Sequence, residues 1–130
     1  MEKKYFYPAV FQPEAHGYSV YVPDIPGCCT EGLTMPEAIA MAEDAIGLML
    51  EDVKEENFPK ASPPEAIPLE GKQFVVVVPF DKLAYDRKYN QQPIEKTISI
   101  PGWLDSLARE RNVNFSGVFQ NALMRELNIV

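Results

Sequence analysis

The chain has 130 residues, 46% hydrophobic and 24% charged. That composition suits one folded domain or two very small ones and excludes wholesale disorder. No apolar run approaches the roughly 20 residues of a membrane span, and Met1-Glu2-Lys3-Lys4-Tyr5 has neither the apolar stretch nor the cleavage site of a secretory leader. A cytoplasmic location without membrane contact is therefore expected. The net charge of −7 is unevenly spread. Residues 1–80 carry five Lys/Arg against thirteen Asp/Glu, residues 81–93 three against two, and residues 94–130 four of each. The acidic part repels nucleic acid and attracts a basic partner, so only the last third can approach DNA without a large penalty.

Cys28 and Cys29 are neighbours and His16 is the single histidine. Adjacent thiols do not staple a fold, and three ligands fall short of the four of a structural zinc site. No metal and no cofactor are expected. A Cys–His nucleophile pair is possible on paper, but a small buried cysteine at a strand start is the commoner case.

Tyr5 to Gln12 is rich in aromatic and β-branched residues and predicts a strand, in which Pro8 argues for an edge position or a bulge. Pro13-Glu14-Ala15-His16-Gly17 is a turn. Tyr18 to Val22 alternates, with Tyr18, Val20 and Val22 on one face, so the two runs predict an antiparallel hairpin. Pro23-Asp24-Ile25-Pro26-Gly27 is a second turn, which Asp24 can fix, and Cys28 to Gly32 is a short third strand. Thr34-Met35-Pro36-Glu37 opens a helix, with Thr34 as cap and Glu37 completing a capping box. Helical periodicity continues for about twenty residues. Ala38, Ala42, Ala45, Ile46, Met49 and Val53 share one face, while Glu37, Asp44, Glu51 and Glu55 lie on or near the other. Pro59, Pro63, Pro64 and Pro68 mark an extended connector. Phe74-Val75-Val76-Val77-Val78 is apolar on both faces and predicts a central strand. Tyr85 to Pro93 is polar and reads as a linker.

The last segment follows different rules. Thr97-Ile98-Ser99-Ile100 alternates and stops at Pro101, and a helix follows to about Arg111. Asn112 is placed to end that helix in a left-handed conformation. Asn114 can cap a second helix, whose Phe115, Val118, Phe119, Ala122, Leu123 and Leu127 form one apolar face. A lone short strand and two short helices cannot bury their apolar faces unaided. A twofold dimer with the two strands as an antiparallel ribbon repairs this. Its interface would hold Ile98, Ile100, Trp103, Leu107, Val118, Phe119 and Leu123.

This C-terminal unit resembles the ribbon–helix–helix DNA-binding domain. The resemblance rests on Thr97–Ile100 ending at Pro101, the Asn112-Val113-Asn114 turn and the Ser116-Gly117-Val118-Phe119 opening of the second helix. The N-terminal region resembles HicB through Val22-Pro23-Asp24-Ile25-Pro26-Gly27-Cys28, then Thr30, Gly32 and Thr34, then Glu37-Ala38 and Ala42. The resemblance implies an α+β chain. Residues 1–80 would form a toxin-binding domain with a partial ribonuclease-H-like fold, an antiparallel-rich sheet with one long helix. Residues 81–93 would be a linker, and residues 94–130 the dimerising ribbon–helix–helix domain. HicB proteins are antitoxins that bind and block HicA, a small basic mRNA-cleaving toxin, and repress their own operon. The implied partners are thus a HicA-type toxin, operator DNA in the major groove, and a second copy of the chain or a higher oligomer. The competing reading is a stand-alone ribbon–helix–helix regulator whose N-terminal domain senses a ligand.

Parity and chemistry assign candidate sites. If Ile98 and Ile100 face the core, Glu95, Thr97 and Ser99 face the groove, where hydroxyls reach base edges. Glu95 departs from the basic or amide residues usual there, and Lys96 can reach a phosphate. The start of the second helix, with the N–H groups of Phe115, Ser116 and Gly117 and the side chains of Asn114 and Ser116, suits a phosphate oxygen. Arg109 and Arg111 are candidate backbone contacts or solvated charges. For the toxin, Tyr18, Tyr21 and Asp24 are candidate anchors. Asp44, Glu51 and Glu55, with Glu43 and Asp52 nearby, are either a solvated face or a guide for a basic partner. The strand interiors carry almost no carboxylate, so a Mg²⁺-dependent nuclease centre is not expected. No catalytic residue and no enzymatic activity are assigned.

Overall fold

The computed structural model describes residues 4–129. Met1–Lys3, part of the stretch read above as leaderless, lie outside them, as does Val130. The chain divides into two compact units, one ending at Gln91 and the other beginning at Gln92.

The first unit is a four-stranded antiparallel sheet with helices. Strands β1 (Lys4–Pro13), β2 (Tyr18–Tyr21) and β3 (Cys29–Gly32) precede helix α1 (Met35–Leu50). Strand β4 (Phe74–Asp81) and helix α2 (Lys82–Tyr89) follow the connector. The strand order is β3-β2-β1-β4. The β1–β2 hairpin turns at Gly17, whose φ of 93° is closed to other residues without strain, and a Cβ there would also meet the Gly32 carbonyl.

Pro8 resolves as a local edge. β1 pairs with β4 from Lys4 to Phe11 in one unbroken register, which excludes a bulge. β2 covers only Val10 to Pro13, so Pro8 sits where one flank of β1 has no strand beside it. The predicted central position of Phe74–Val78 is corrected: β4 is an edge strand that pairs with β1 alone. Its inner side chains Val78 and Phe80 are buried, but Val77 on the other face is 43% exposed. Apolar side chains on both faces therefore do not fix a strand's place in the sheet.

Helix α1 begins as its sequence predicts. The Thr34 hydroxyl accepts from the Glu37 N–H at 3.2 Å, and the Glu37 carboxylate accepts in return from the Leu33 N–H at 3.3 Å. The reciprocal bond thus falls one residue before the cap. Ala38, Ala42, Ile46 and Leu50 form a fully buried stripe four residues apart, packed on Tyr7, Ala9, Phe11, Val20, Val22, Val78 and Phe80. Tyr18, Val20 and Val22 share that inner face as expected. The helix ends at Leu50, short of the predicted twenty residues. Met49 is 40% exposed, and Glu55 lies in a separate 3₁₀ turn, Glu55–Asn57, off the α1 face.

The segment expected as a linker is corrected too. Lys82–Tyr89 is a helix, and the Asp81 side chain caps it by accepting from the Ala84 N–H at 3.0 Å. Tyr85 and Tyr89 lie tilted against each other at 4.8 Å, Tyr85 packs on Phe80 at 5.9 Å, and the Tyr89 hydroxyl donates to Asp44 at 2.8 Å. These contacts hold a polar helix that would be marginal alone.

The second unit contains α3 (Gly102–Glu110) and α4 (Phe115–Glu126). Asn112 adopts φ 54° at the α3 end, and the Asn114 side chain caps α4 by accepting from the Gly117 N–H at 3.1 Å. Thr97–Ile100 forms no ladder among the described residues. A strand needs a partner, and this unit contains none.

Candidate functional site

The first unit brings Asp24 to an ordered corner. Ile25 N–H donates to Val22, Cys28 N–H to Ile25, and Val22 N–H to Cys28, all at 2.9–3.1 Å. The Asp24 carboxylate then accepts from both the N–H and the hydroxyl of Ser62, at 2.8 and 2.6 Å. Asp24 therefore pins the proline-rich connector to the turn. No local pattern links the two residues, which are 38 apart, so the sequence offers no sign of Ser62.

The other toxin-directed candidates do not form one surface. Tyr18 faces inward against Phe11 and Phe74, at 6.0 Å from each. Tyr21 is of opposite parity and 39% exposed on the outer face, in register with Val10 and Cys29. Asp44 receives the Tyr89 hydroxyl and lies 3.5 Å from Lys88 Nζ. Hydrogen bonding to Tyr89 and the charge of Asp44 raise the Lys88 pKa. Glu55 accepts from the Tyr5 hydroxyl at 2.5 Å, and that bond to a carboxylate pushes the Tyr5 phenol up to about 12. Of the six, Tyr21 and Glu51 remain exposed. Burial, and then Asp44, raise the pKa of Glu43, the neighbouring acid.

The remaining chemistry is muted. Burial pushes the Cys28 thiol up to about 11, which keeps it a neutral thiol at neutral pH. His16 is exposed in its turn. Among the described residues no three His, Cys, Asp or Glu side chains gather as a metal site. No helix among them is long and apolar enough to cross a membrane.

In the second unit four of the DNA-directed candidates, Lys96, Thr97, Phe115 and Ser116, line one groove of about 440 Å³, together with Ile98, Ile100 and Phe119 of the expected dimer interface and with Asp105 and Arg109. Ser99 lies in the same exposed stretch. One expectation is corrected: the Gly117 N–H is occupied by its Asn114 cap, which leaves Phe115 and Ser116 as the open donors at the α4 start. Arg109 pairs with Asp105 at 3.1 Å, and Arg111 is exposed.

No described residue from Gln92 onward is buried. The predicted interface residues are open: Ile98 61%, Trp103 69% and Val118 57% exposed, with Ile100, Leu107 and Leu123 above a third and Phe119 half-buried. Sequence reasoning missed Gly47 and Tyr85. Gly47 is buried in α1, and a Cβ there would overlap the Tyr85 ring. A glycine inside a helical pattern was the available signal.

These units define an α+β protein whose open apolar and polar surfaces are of the kind that macromolecular partners cover. The family of HicB-like antitoxins of bacterial toxin–antitoxin systems matches residues 7–122, and the chain belongs to it. It is 40% identical over 76 residues to an uncharacterized 14.9 kDa protein from the rep-hol intergenic region of Haemophilus phage HP1, covering 55% of this chain and 57% of that one. It is 46% identical over 46 residues to Antitoxin HicB 2 of Photorhabdus laumondii, covering 35% of this chain and 33% of the relative. The matches thus span about half and a third of these curated relatives. Among solved structures, a toxin–antitoxin complex from Streptococcus pneumoniae contains a similar chain, with TM-score 0.60 and 27% identity, covering 95% of this chain and 99% of that one.

Proposed function

We propose that this chain is a non-enzymatic antitoxin that neutralises a HicA-type mRNA-cleaving toxin and represses its own operon. The observation that carries the reading is the family match across residues 7–122, which takes in both units. The similar chain in the Streptococcus pneumoniae complex supports a toxin as partner.

Toxin binding falls to the first unit. Its acidic balance favours encounter with a basic protein. Tyr21 and Glu51 offer exposed contacts, while Asp24, Asp44 and Glu55 hold the surface in shape through Ser62, Tyr89 and Tyr5. Tyr18 supports the sheet from its inner face. This unit is the partial ribonuclease-H-like domain of the reading, extended by α2.

Dimerisation and operator binding fall to residues 92–129. With no buried residue described there, the unit gains a core when a second copy covers Ile98, Ile100, Trp103, Leu107, Val118, Phe119 and Leu123. Paired Thr97–Ile100 segments make the ribbon. Thr97 and Ser99 then face base edges, with Lys96 at a phosphate. The Phe115 and Ser116 N–H groups take a phosphate oxygen at the positive end of α4, with Asn114 and the Gly117 N–H closing the turn behind them.

Co-expression with the product of the adjacent small reading frame tests the antitoxin role. The expected result is a stoichiometric complex, together with growth arrest when that product is expressed alone. No complex and no arrest would favour the ligand-sensing regulator instead. Operator binding is tested by gel shift. The full chain should retard DNA from its own promoter, and a chain ending at Gln91 should not. A shift by that fragment would overturn the division of labour.

A further inference from the structure

Helix α1 has a second apolar face. Ala38, Ala42, Ile46 and Leu50 turn to the sheet, but Met41 and Leu48 are exposed on the other side, Leu48 to 65%. Single exposed apolar residues are ordinary. These two are seven apart, which is two helical turns to within about 20°, so they stand in one row along the helix. Half-buried Ala45 lies in the turn between them. Met49 widens the row toward the turn at residues 23–27, where a Cβ on Gly27 would lie 3.5 Å from the Met49 methyl.

An acidic row runs beside the apolar one. Glu37, Asp44 and Glu51 are also seven apart, and Glu51 keeps helical dihedrals as the C-cap. From Met35 to Leu50 the helix carries no lysine or arginine. Asp44, in the middle of the row, is engaged by Tyr89 and Lys88 of α2. Glu37 accepts from the Leu33 N–H through one oxygen, and both Glu37 and Glu51 are exposed. The two ends of the acidic row therefore face solvent on either side of Asp44.

The two rows together select one kind of partner. Nucleic acid and anionic lipid are repelled. A second copy would bring acids and no base to the contact. A cationic protein segment gains on both rows. Its apolar side chains cover Met41, Ala45 and Leu48, and its flanking lysines or arginines meet Glu37 and Glu51. The unbranched methionine side chains suit a surface that moulds itself to such a segment.

We propose that the outward face of α1 is where this chain receives the toxin, through a toxin segment that is apolar at its centre and basic at its flank. This surface presupposes the antitoxin role given above.

Methionine-methyl NMR on the full chain tests it. With ¹³C-methyl methionine, a dissolved nitroxide should broaden Met41 in the free chain. The same methyl should be shielded in the complex with the product of the adjacent small reading frame. Leu48→Lys sets a cation on the apolar row at an exposed position and should weaken that complex about thirtyfold or more. The β1–β4 amides of the free variant should exchange as in wild type, which reports an intact fold. Glu51→Lys should slow association about fivefold at low salt and blunt its salt dependence. A complex that leaves Met41 open to the nitroxide, or that Leu48→Lys leaves as tight as before, would overturn the proposal and spare the antitoxin role. Shielding of Met41 that grows with concentration in the free chain would overturn it too, since a second copy would then hold the face. No complex at all refutes the antitoxin role itself, and the proposal with it.

Discussion

At Gly47 two physical effects of opposite sign meet. The residue lies near the end of α1 and is buried. Exchanging a helical glycine for alanine ordinarily stabilises by up to about 1 kcal/mol, because glycine loses more backbone freedom on folding. Here the new Cβ would overlap Cδ1 and Cε1 of Tyr85. The ring cannot withdraw without leaving Phe80 and Tyr89, its neighbours at 5.9 and 4.8 Å. Two aromatic pairs at about 0.5–1.5 kcal/mol each, with about 1 kcal/mol for the ring's lost burial, amount to a loss of about 2–4 kcal/mol. The overlap outweighs the helix gain, and Gly47→Ala should destabilise the first unit by about 1–3 kcal/mol. Urea unfolding followed by circular dichroism measures this, and amide exchange should place the loosening in Lys82–Tyr89. The double-mutant cycle sharpens the test. In a Tyr85→Ala background the clash is gone, so Gly47→Ala should stabilise by up to about 1 kcal/mol. Gly47→Ala stabilising the wild-type chain would refute the notch between α1 and α2.

Asp24→Asn replaces one of the two carboxylate oxygens that Ser62 uses with an amide donor, so one Ser62 donor loses its acceptor. A loss of about 1–3 kcal/mol and faster proteolysis within residues 58–70 are expected. Glu43 has a raised pKa, so the folded chain holds its proton more tightly than the unfolded chain. Its contribution is favourable below the ordinary carboxylate value and is lost as pH rises through the folded value. Glu43→Gln should therefore raise neutral-pH stability, by less than about 1 kcal/mol, and flatten the gain on acidification, as thermal melts across pH 4–8 would reveal. The Tyr5 phenol, held at about 12 against an ordinary 10.0, keeps its bond to Glu55 below pH 10 and loses it as pH rises through 12. In ultraviolet titration the wild-type minus Tyr5→Phe difference should therefore show one late phenol. Ile98→Glu sets a carboxylate in the proposed dimer ribbon and should halve the particle mass in sedimentation while leaving the β1–β4 amides protected.

The two units differ in where their stabilisation comes from. The first seals Ala9, Phe11, Ala42, Ile46 and Val78 from water within one chain, so its stability is a property of that chain. The second leaves Trp103, Val118 and Leu127 at 57–69% exposure. Its apolar gain must come from whatever covers it, and its stability then scales with concentration. In the proposed repressor role this coupling is useful, because a ribbon made by two copies forms only when they pair, and DNA affinity would then follow the amount of free chain.

The legible parts of the chain are those whose signal is local. The Thr34 and Glu37 cap, the alanine stripe of α1, and Asn112 and Asn114 between the last helices each act within four residues of themselves, so spacing is enough to read them. The illegible parts need distant partners. The polar run from Lys82 to Tyr89 has little helical reason of its own. It is a helix because Tyr85 finds Gly47 and Tyr89 finds Asp44, and the latter pair is 45 residues apart. The place of β4 is hidden for a related reason. Its valines are apolar on both faces, yet Val77 on the outer face is 43% exposed, so an apolar run does not by itself place a strand inside a sheet. The same gap scatters the toxin candidates. Tyr18 and Tyr21 are three apart, an odd spacing that a strand turns to opposite faces, so parity alone could have separated them. That Asp24, Asp44 and Glu55 serve internal hydrogen bonds is not readable in any spacing, because an acidic side chain looks the same in sequence whether it faces a partner, a solvent or a serine 38 residues away.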